Sequence, residues 1–292
     1  MLDPQAVQSM NGPQLRDMFA AATAWLDRNK EAVNAINVFP VPDGDTGTNM
    51  YLTMRATMEE AQRCEDQTAG GMLAAMSHGA LMGARGNSGV ILSQILRGVA
   101  RALDGAEALD SQRLAAAFSE GSAAAYKAVT KPTEGTILTV IREVAEQASS
   151  RANGAAPDLL SVMEEAVSTA AASVERTPTL LPILKEAGVV DAGAKGLHVL
   201  LEGMLKHLRG EEMAEPVTAS TAVGHSWLTD IEQRHAAEAS PYGYCAEVLI
   251  EGSGMDVDAM REVILKLGDS VIVVGDEQLV RIHVHTDDPG AV

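Results

Sequence analysis

Cysteine is nearly missing from this sequence. Cys64 and Cys245 stand alone among 292 residues, too few for a disulfide framework and in keeping with a reducing compartment. Positive charge is scarce as well, with 22 Lys and Arg against 40 Asp and Glu, a formal charge of −18. A surface of that sign repels phosphate backbones and anionic lipid at long range, so neither nucleic acid nor a membrane is an expected partner. No apolar run approaches the roughly 20 residues that cross a bilayer. The opening stretch MLDPQAVQSMNG also lacks the basic and apolar regions of a signal peptide. These absences lead us to expect a cytoplasmic protein.

Aromatic residues are few too, two Trp, four Tyr and three Phe, whereas alanine is abundant and Met numbers fourteen. Small side chains let helices approach closely, and Met fills the irregular gaps between them. From residue 13 to about 209 the pattern is helical almost throughout. Leu15, Met18, Phe19, Ala22, Trp25 and Leu26 near one end, and Leu197, Leu200, Leu201, Met204, Leu205 and Leu208 near the other, form core-facing stripes. Further helices are expected near 48–63, 70–84, 89–104, 111–129, 135–151, 157–175 and 179–187, separated by Gly, Pro, Asp or Asn. Residues 1–209 thus read as an all-helical domain. The acidic, Thr- and Ala-rich GEEMAEPVTASTAVGH begins a linker expected over 210–241. Residues 242–292 read as a smaller α+β domain: YGYCAEVLIEG a strand, Met255–Leu267 a helix, SVIVVGD and QLVRIHVHTDD two strands meeting at an Asp276–Gln278 turn. A split β-α-β sandwich would still need another helix and strand after Val292, so we expect a truncated chain.

Chemistry concentrates in NVFPVPDGDTGTNM, Asn37–Met50. Pro40 and Pro42 stiffen the approach, Gly44 and Gly47 allow tight backbone, and Thr46 or Thr48 can cap the helix that follows. Asp43 and Asp45, two apart on an extended segment at a helix N-terminus, can converge on a hard cation such as Mg²⁺ beside a phosphate. A capped turn with a solvated acidic pair would use the same residues. Three other loops share the character. GARGNSGVIL places Gly86, Asn87, Ser88 and Gly89 directly before an apolar helix, KPTEGTILTV places Thr136 at another helix start, and KEAGVVDAGAKGL places Asp191 and Gly193 at a fourth. If those helix ends gather at one rim they form a nucleotide site. Neither a GxxxxGK[ST] loop nor the VAIK, HRD and DFG elements of protein kinases occur.

PVPDGDTGTNM, GARGNSGVILSQ, PTEGTILTV and DAGAKGL, in that order, resemble the family of the dihydroxyacetone kinase nucleotide-binding (L) subunit. The Asn-Val-Phe-Pro-Val-Pro-Asp-Gly-Asp variant with an appended C-terminal unit is more similar still to the bacterial fatty acid kinase A type. The resemblance implies an antiparallel eight-helix barrel holding ATP and two Mg²⁺ at one end. It places Asp43 and Asp45 as Mg²⁺ ligands, with Asn37 standing near the position of a third family Asp. Thr46, Thr48, Asn49, Gly86, Asn87, Ser88, Gly89, Thr136, Asp191 and Gly193 fall on its nucleotide-contacting loops. Lys185 lies six residues before Asp191, where relatives carry an Arg that reaches the phosphates; Arg85 is a second candidate for that charge, and a solvated lysine is the plainer reading of Lys185.

The implied reaction is transfer of the γ-phosphate to a fatty acid carboxylate presented by a separate fatty-acid-binding protein, giving an acyl phosphate. A glycerone-type kinase acting on a small polyol or ketose, and a nucleotide-binding regulator without transfer activity, are the competing readings. The second domain is expected to support a homodimer or docking. There His283 and His285 project to one face of a strand, and Cys245 on a neighbouring strand could join them around Zn²⁺. A buried cysteine with two structural histidines is the alternative; the resemblance, which extends through YGYC and HVHT, favours zinc. His78, His198, His207, His225 and His235 have no comparable setting and read as surface or packing residues.

Overall fold

The structure, a computed structural model, describes residues 8–154, 157–211 and 243–292. Two compact units emerge, one built from residues up to Tyr126 and from Thr133 onward through the helical region, the other from Lys127–Pro132 and the C-terminal sheet. The linker expected over 210–241 lies, from residue 212 onward, outside the described residues, as do His225 and His235. No helix among the described residues is long and apolar enough to cross a membrane.

The first unit contains α1 (Gly12–Asn34), α2 (Thr46–Arg63), α3 (Ala69–Gly83), α4 (Gly86–Ala102), α5 (Ser111–Ala128), α6 (Ile137–Ala152), α7 (Leu159–Leu180), the short α8 (Pro182–Ala187) and α9 (Ala192–Leu208). Local signals set their starts. Asn11 and Gln14 close a capping box on α1 with Pro13 in its first turn, and Asp158 with Ser161 closes another on α7. The stripe from Leu15 to Leu26 is buried as its spacing requires. One boundary differs from expectation: α7 continues through Pro178 to Leu180 instead of ending near 175. Proline removes the N–H that would reach the Val174 carbonyl. The Thr177 hydroxyl donates to that carbonyl instead, at 2.7 Å.

The eight long helices close into a ring. Successive pairs pack from α1 to α4, α6 packs on α7, α7 on α9, and α9 on α1. α4 meets α5 at Gly98, where a Cβ would fall 2.2 Å from the Glu120 carbonyl oxygen, and α5 meets α6 where Ser119 and Ser149 hydroxyls lie 3.3 Å apart. Each of the eight contributes to one cavity of about 60 Å³ lined by apolar side chains, among them Phe19, Met54, Leu73, Ile95, Phe118, Ile141, Met163 and Leu200. Alternation of direction puts the starts of α2, α4, α6 and α9 at one rim. At the other, the Gly12 N–H donates to Gln67 O at 2.9 Å, and β1 (Ser9–Met10) pairs with β2 (Leu109–Asp110), two strands that periodicity does not announce.

In the second unit β3 (Tyr244–Glu251), α10 (Val257–Ile264), β4 (Asp269–Gly275) and β5 (Leu279–Thr286) follow in chain order. The sheet is antiparallel with order β3–β5–β4. The expected turn forms where Asp276 Oδ1 accepts the N–H of Gln278 at 3.0 Å and of Leu279 at 3.1 Å. The helix starts later than expected because Asp256 caps it, taking the N–H groups of Asp258 and Ala259, and it ends at Ile264, where the Lys266 and Leu267 N–H groups turn to Val263 O and Ile264 O at 3.1 and 2.9 Å. Val280, Ile282 and Val284 of β5 share a core with Val271, Val273 and Ile264, leaving Arg281, His283 and His285 on the opposite face.

One carboxylate ties two rim helices together. Asp191 caps α9, accepting the Ala194 N–H at 2.7 Å, and also takes the N–H groups of Gly193 and of Ile137, the first residue of α6. Burial pushes Asp191 up to about 7 against the pull of those donors. A carboxyl held above its unfolded value of 3.8 contributes stability that is complete below that value and is lost as pH rises through about 7. Asp191→Asn keeps a capping oxygen without the titration. Denaturant melts should therefore show the parent losing ground to Asp191→Asn between pH 4 and pH 8, by at most about 1.4 kcal/mol per pH unit; a constant difference would mean the carboxylate is ionised throughout. Independently, Gly98→Ala should destabilise the helical unit by roughly 1–3 kcal/mol, since α4 and α5 must part to admit the methyl group.

Candidate functional site

The Asn37–Asp45 loop is built from its own polar side chains. Asn37, buried, donates from Nδ2 to Val41 O at 2.6 Å and toward Asp43 Oδ1 at 3.3 Å, while its oxygen accepts the Thr46 hydroxyl. Gly44 turns the chain at φ +67°, which its lack of a Cβ permits. Asp45 is the backbone N-cap of α2, yet its side chain makes no capping hydrogen bond. Thr46 and Thr48 do not cap the helix as expected: Thr46 is already its first residue. The cap comes from α1, whose terminal Asn34 accepts the Thr48 N–H at 3.1 Å and donates to the Thr48 hydroxyl at 2.9 Å. Asp45 is thereby left to face Asp43, whose carboxyl is pushed up to about 6 by burial and by the neighbouring Asp45 charge. Two carboxylates held against each other at a helix start are a site that wants a cation.

Around this pair the structure brings the other loops together. A Cβ on Gly86, itself at φ +56°, would lie 2.6 Å from Asn49 Nδ2, and one on Gly89 would lie 2.4 Å from Thr53 Oγ1. The same Thr53 hydroxyl accepts the Arg85 N–H at 3.2 Å. Gly196 of α9 sits against Met50 of α2, a Cβ there falling 2.4 Å from its sulfur, and Gly193 sits against Ile137 of α6. Contacts therefore run unbroken from the start of α4 through α2 and α9 to the start of α6. Within that chain α4 differs from its neighbours, because its N-cap Arg85 supplies no side-chain hydrogen bond. Gly86, Asn87 and Ser88 open the helix, and Asn87 Oδ1 is buried with no partner among the described residues. This helix end suits an anion.

Thr136 caps α6, its hydroxyl accepting the Leu138 N–H and donating to Thr133 O. Sequence reasoning misses what steadies this loop. Glu134 receives the Tyr126 hydroxyl at 2.8 Å, the Thr139 hydroxyl at 2.6 Å and Arg142 Nη2 at 3.2 Å, and Thr139 accepts the Gly135 N–H at 2.8 Å. The Glu–x₄–Thr and Glu–x₇–Arg spacings around the loop carry that signal. Lys185 and Arg85 are exposed, and neither cationic head pairs with a described residue. Lys185 rides on α8, apart from the chain of contacts just traced.

In the second unit, ligand atoms of Cys245, His283 and His285 lie within 4.8 Å of one another. Cys245 faces His285 in register, and Glu247 faces His283. The histidines are buried while Cys245 is exposed. The His283 and His285 contacts hold the Cys245 thiol down at about 6. Burial works against charge on His283, but the Cys245 sulfur and Glu247 raise it to about 9. His283 Nε2 is buried without a partner among the described residues. A soft thiolate with two imidazoles is a donor set for Zn²⁺.

Residues 40–206 match the DAK2 domain, and residues 241–292 match the FakA-like middle domain of fatty acid kinase. Uncharacterized proteins of Staphylococcus aureus strains USA300 and N315 are each 41% identical over 293 residues, covering 98% of this chain and 53% of theirs. The chain thus spans about half the length of the curated relatives it matches. Among solved structures, the native form of the dihydroxyacetone kinase of C. freundii aligns with a TM-score of 0.48 at 15% identity, over 71% of this chain and 36% of that one. With the DAK2 match covering more than half of its residues, the chain belongs to the DAK2 domain family, joined to a FakA-like middle domain.

Proposed function

We propose that this chain is the ATP-binding part of a Mg²⁺-requiring phosphotransferase of the fatty acid kinase A type. One observation carries the reading: the Asp43–Asp45 pair, excused from capping by Asn34, stands at the same rim as the start of α4, where Arg85 supplies no side-chain cap and Asn87 Oδ1 is buried with no partner among the described residues. Asp43 and Asp45 would hold Mg²⁺, which neutralises phosphate charge during transfer. Asn37 joins them if its oxygen exchanges the Thr46 hydroxyl for the metal. The N–H groups of Asn87 and Ser88 at the start of α4 cradle phosphate oxygens, with Gly86 and Gly89 on either side leaving room by their lack of a Cβ; Thr46, Thr48 and Asn49 flank them from α2, and Thr136, Asp191 and Gly193 bound the site toward ribose and base. Lys185 or Arg85 supplies balancing positive charge.

The acceptor is a fatty acid carboxylate carried by a separate binding protein. A carboxylate oxygen attacks the γ-phosphorus as the bond to the ADP oxygen breaks, giving acyl phosphate and ADP. An ionised carboxylate has no proton to lose, which suits a site with metal and phosphate ligands and no evident general base. The middle-domain match supports this acceptor over a polyol or ketose. We assign homodimer contact to the second unit, where Tyr244, Leu249, Val263 and Leu265 are exposed, and a cytoplasmic setting to a chain whose cysteines are both free. Zn²⁺ at Cys245, His283 and His285 completes the assignment; the partnerless His283 Nε2 supports it.

Calorimetric titration of ATP should show binding with Mg²⁺ and none with EDTA. Asp43→Ala or Asp45→Ala should weaken the Mg²⁺-dependent binding at least tenfold, about 1.4 kcal/mol, without lowering the melting temperature; unchanged affinity in a folded variant would remove the metal assignment. The full-length protein with a loaded fatty-acid-binding protein should form ADP, whereas turnover with a small polyol alone would move the reading to a glycerone-type kinase. Protein purified without added zinc should hold about one equivalent per chain, lost in Cys245→Ser. Absence of metal from the parent protein would leave Cys245 and the histidines as structural residues.

A further inference from the structure

The sheet face that carries the three candidate zinc ligands holds a further ionisable side chain. Glu247 follows Cys245 by two residues on β3 and so shares its face. Its register partner on β5 is His283, as His285 is that of Cys245. Glu247 Oε1 lies 3.7 Å from His283 Nδ1, and Oε2 lies 3.0 Å from Nη2 of Arg281, a buried guanidinium on the same face of β5. The carboxylate is thus stretched between a fixed cation and one nitrogen of a buried ring. The other nitrogen, Nε2, has no hydrogen-bond partner among the described residues, although the side chain is only 2% exposed. A polar atom enclosed that far normally has a partner, and here the described protein supplies none.

We propose that Glu247 is the positioning residue of the metal centre: it accepts a hydrogen bond from His283 Nδ1–H, fixes the tautomer and tilt of the ring, and so presents Nε2 to the metal, while Arg281 anchors the carboxylate. The inference rests on the zinc reading above. A neutral imidazole ligates through one nitrogen and donates from the other, and a carboxylate at the donor decides which is which. Service as a fourth ligand fits less well, because the compact set of ligand atoms within 4.8 Å comprises Cys245, His283 and His285 without Glu247. An ion pair with Arg281 alone leaves both the second oxygen's approach to His283 and the enclosed Nε2 without a cause. At 3.7 Å the contact is not a made hydrogen bond; the sheet register holds the two groups within reach of one. Cys245 Sγ lies 3.9 Å from the same Nδ1 and competes for its proton in the metal-free protein. Once bound to the metal, the sulfur leaves Glu247 as the acceptor.

The test measures zinc affinity of the whole chain by competition with a chromophoric chelator, for the parent, Glu247→Gln, Glu247→Ala and Arg281→Met, together with imidazole ¹H–¹⁵N correlation spectra of the zinc-loaded parent. Glu247→Ala should bind zinc about 10–100-fold more weakly at unchanged stoichiometry. Glu247→Gln, whose amide oxygen still accepts, should lose less, and Arg281→Met should fall between the parent and Glu247→Ala. The spectra should show His283 protonated at Nδ1 and metal-bound through Nε2. Equal affinity of Glu247→Ala and parent, or a His283 protonated at Nε2, overturns the positioning role and leaves the zinc reading standing. A parent chain that takes up no zinc overturns both. Should Glu247→Ala melt below the parent without metal, the Gln variant and the parent's own spectra decide.

Discussion

Every helix begins with N–H groups that its own carbonyls cannot reach, and a ring of alternating helices collects those groups at its ends. In this protein the starts of α2, α4, α6 and α9 meet at one rim, so the backbone brings partial positive charge there in a chain whose net charge is −18. What distinguishes the four is who satisfies them. Asn34 serves α2 from the helix before it, Thr136 and Asp191 serve α6, and Asp191 serves α9. In α4 the N-cap residue, Arg85, lends no side chain to the task. The proposed site lies between that helix start and the two carboxylates, Asp43 and Asp45, that Asn34 spares from capping α2.

This division of labour accounts for what can and cannot be read from the sequence. Apolar periodicity announces the long helices because burial of a stripe is a local, repeating demand. The glycine-bearing loops announce helix starts because Gly, Thr and Asp there have few other uses. Capping across elements leaves no such trace. Nothing near Asn34 marks it as the cap of the next helix, so sequence points to Thr46 and Thr48, which are adjacent in the chain. Glu134 escapes notice in part for the same reason: its donor Tyr126 comes from the helix before the loop, and its contacts with Thr139 and Arg142 show in the sequence only as spacings. The passage of α7 through Pro178 is hidden because its remedy, the Thr177 hydroxyl, looks like any other threonine.

The second unit obeys a different rule and is legible for a different reason. Its alternation is that of strands, and register pairs Cys245 with His285 and Glu247 with His283. A strand such as β5, buried along its whole length, ordinarily reads as a continuous apolar run. Here every second residue from Arg281 to His285 is polar. The pattern makes sense only if that face is organised around charge, with a guanidinium, a carboxylate, a thiol and two imidazoles answering one another.

The cavity on the barrel axis has a physical consequence of its own. At about 60 Å³ it could house several water molecules, but its walls of Leu, Ile, Met and Phe offer them no hydrogen bond, so it stays dry. A dry void is volume that the folded chain holds and the unfolded chain gives up. Hydrostatic pressure therefore acts on the barrel as a selective denaturant, working on the hollow of the ring while the rim loops, closed by hydrogen bonds, offer it far less to collapse.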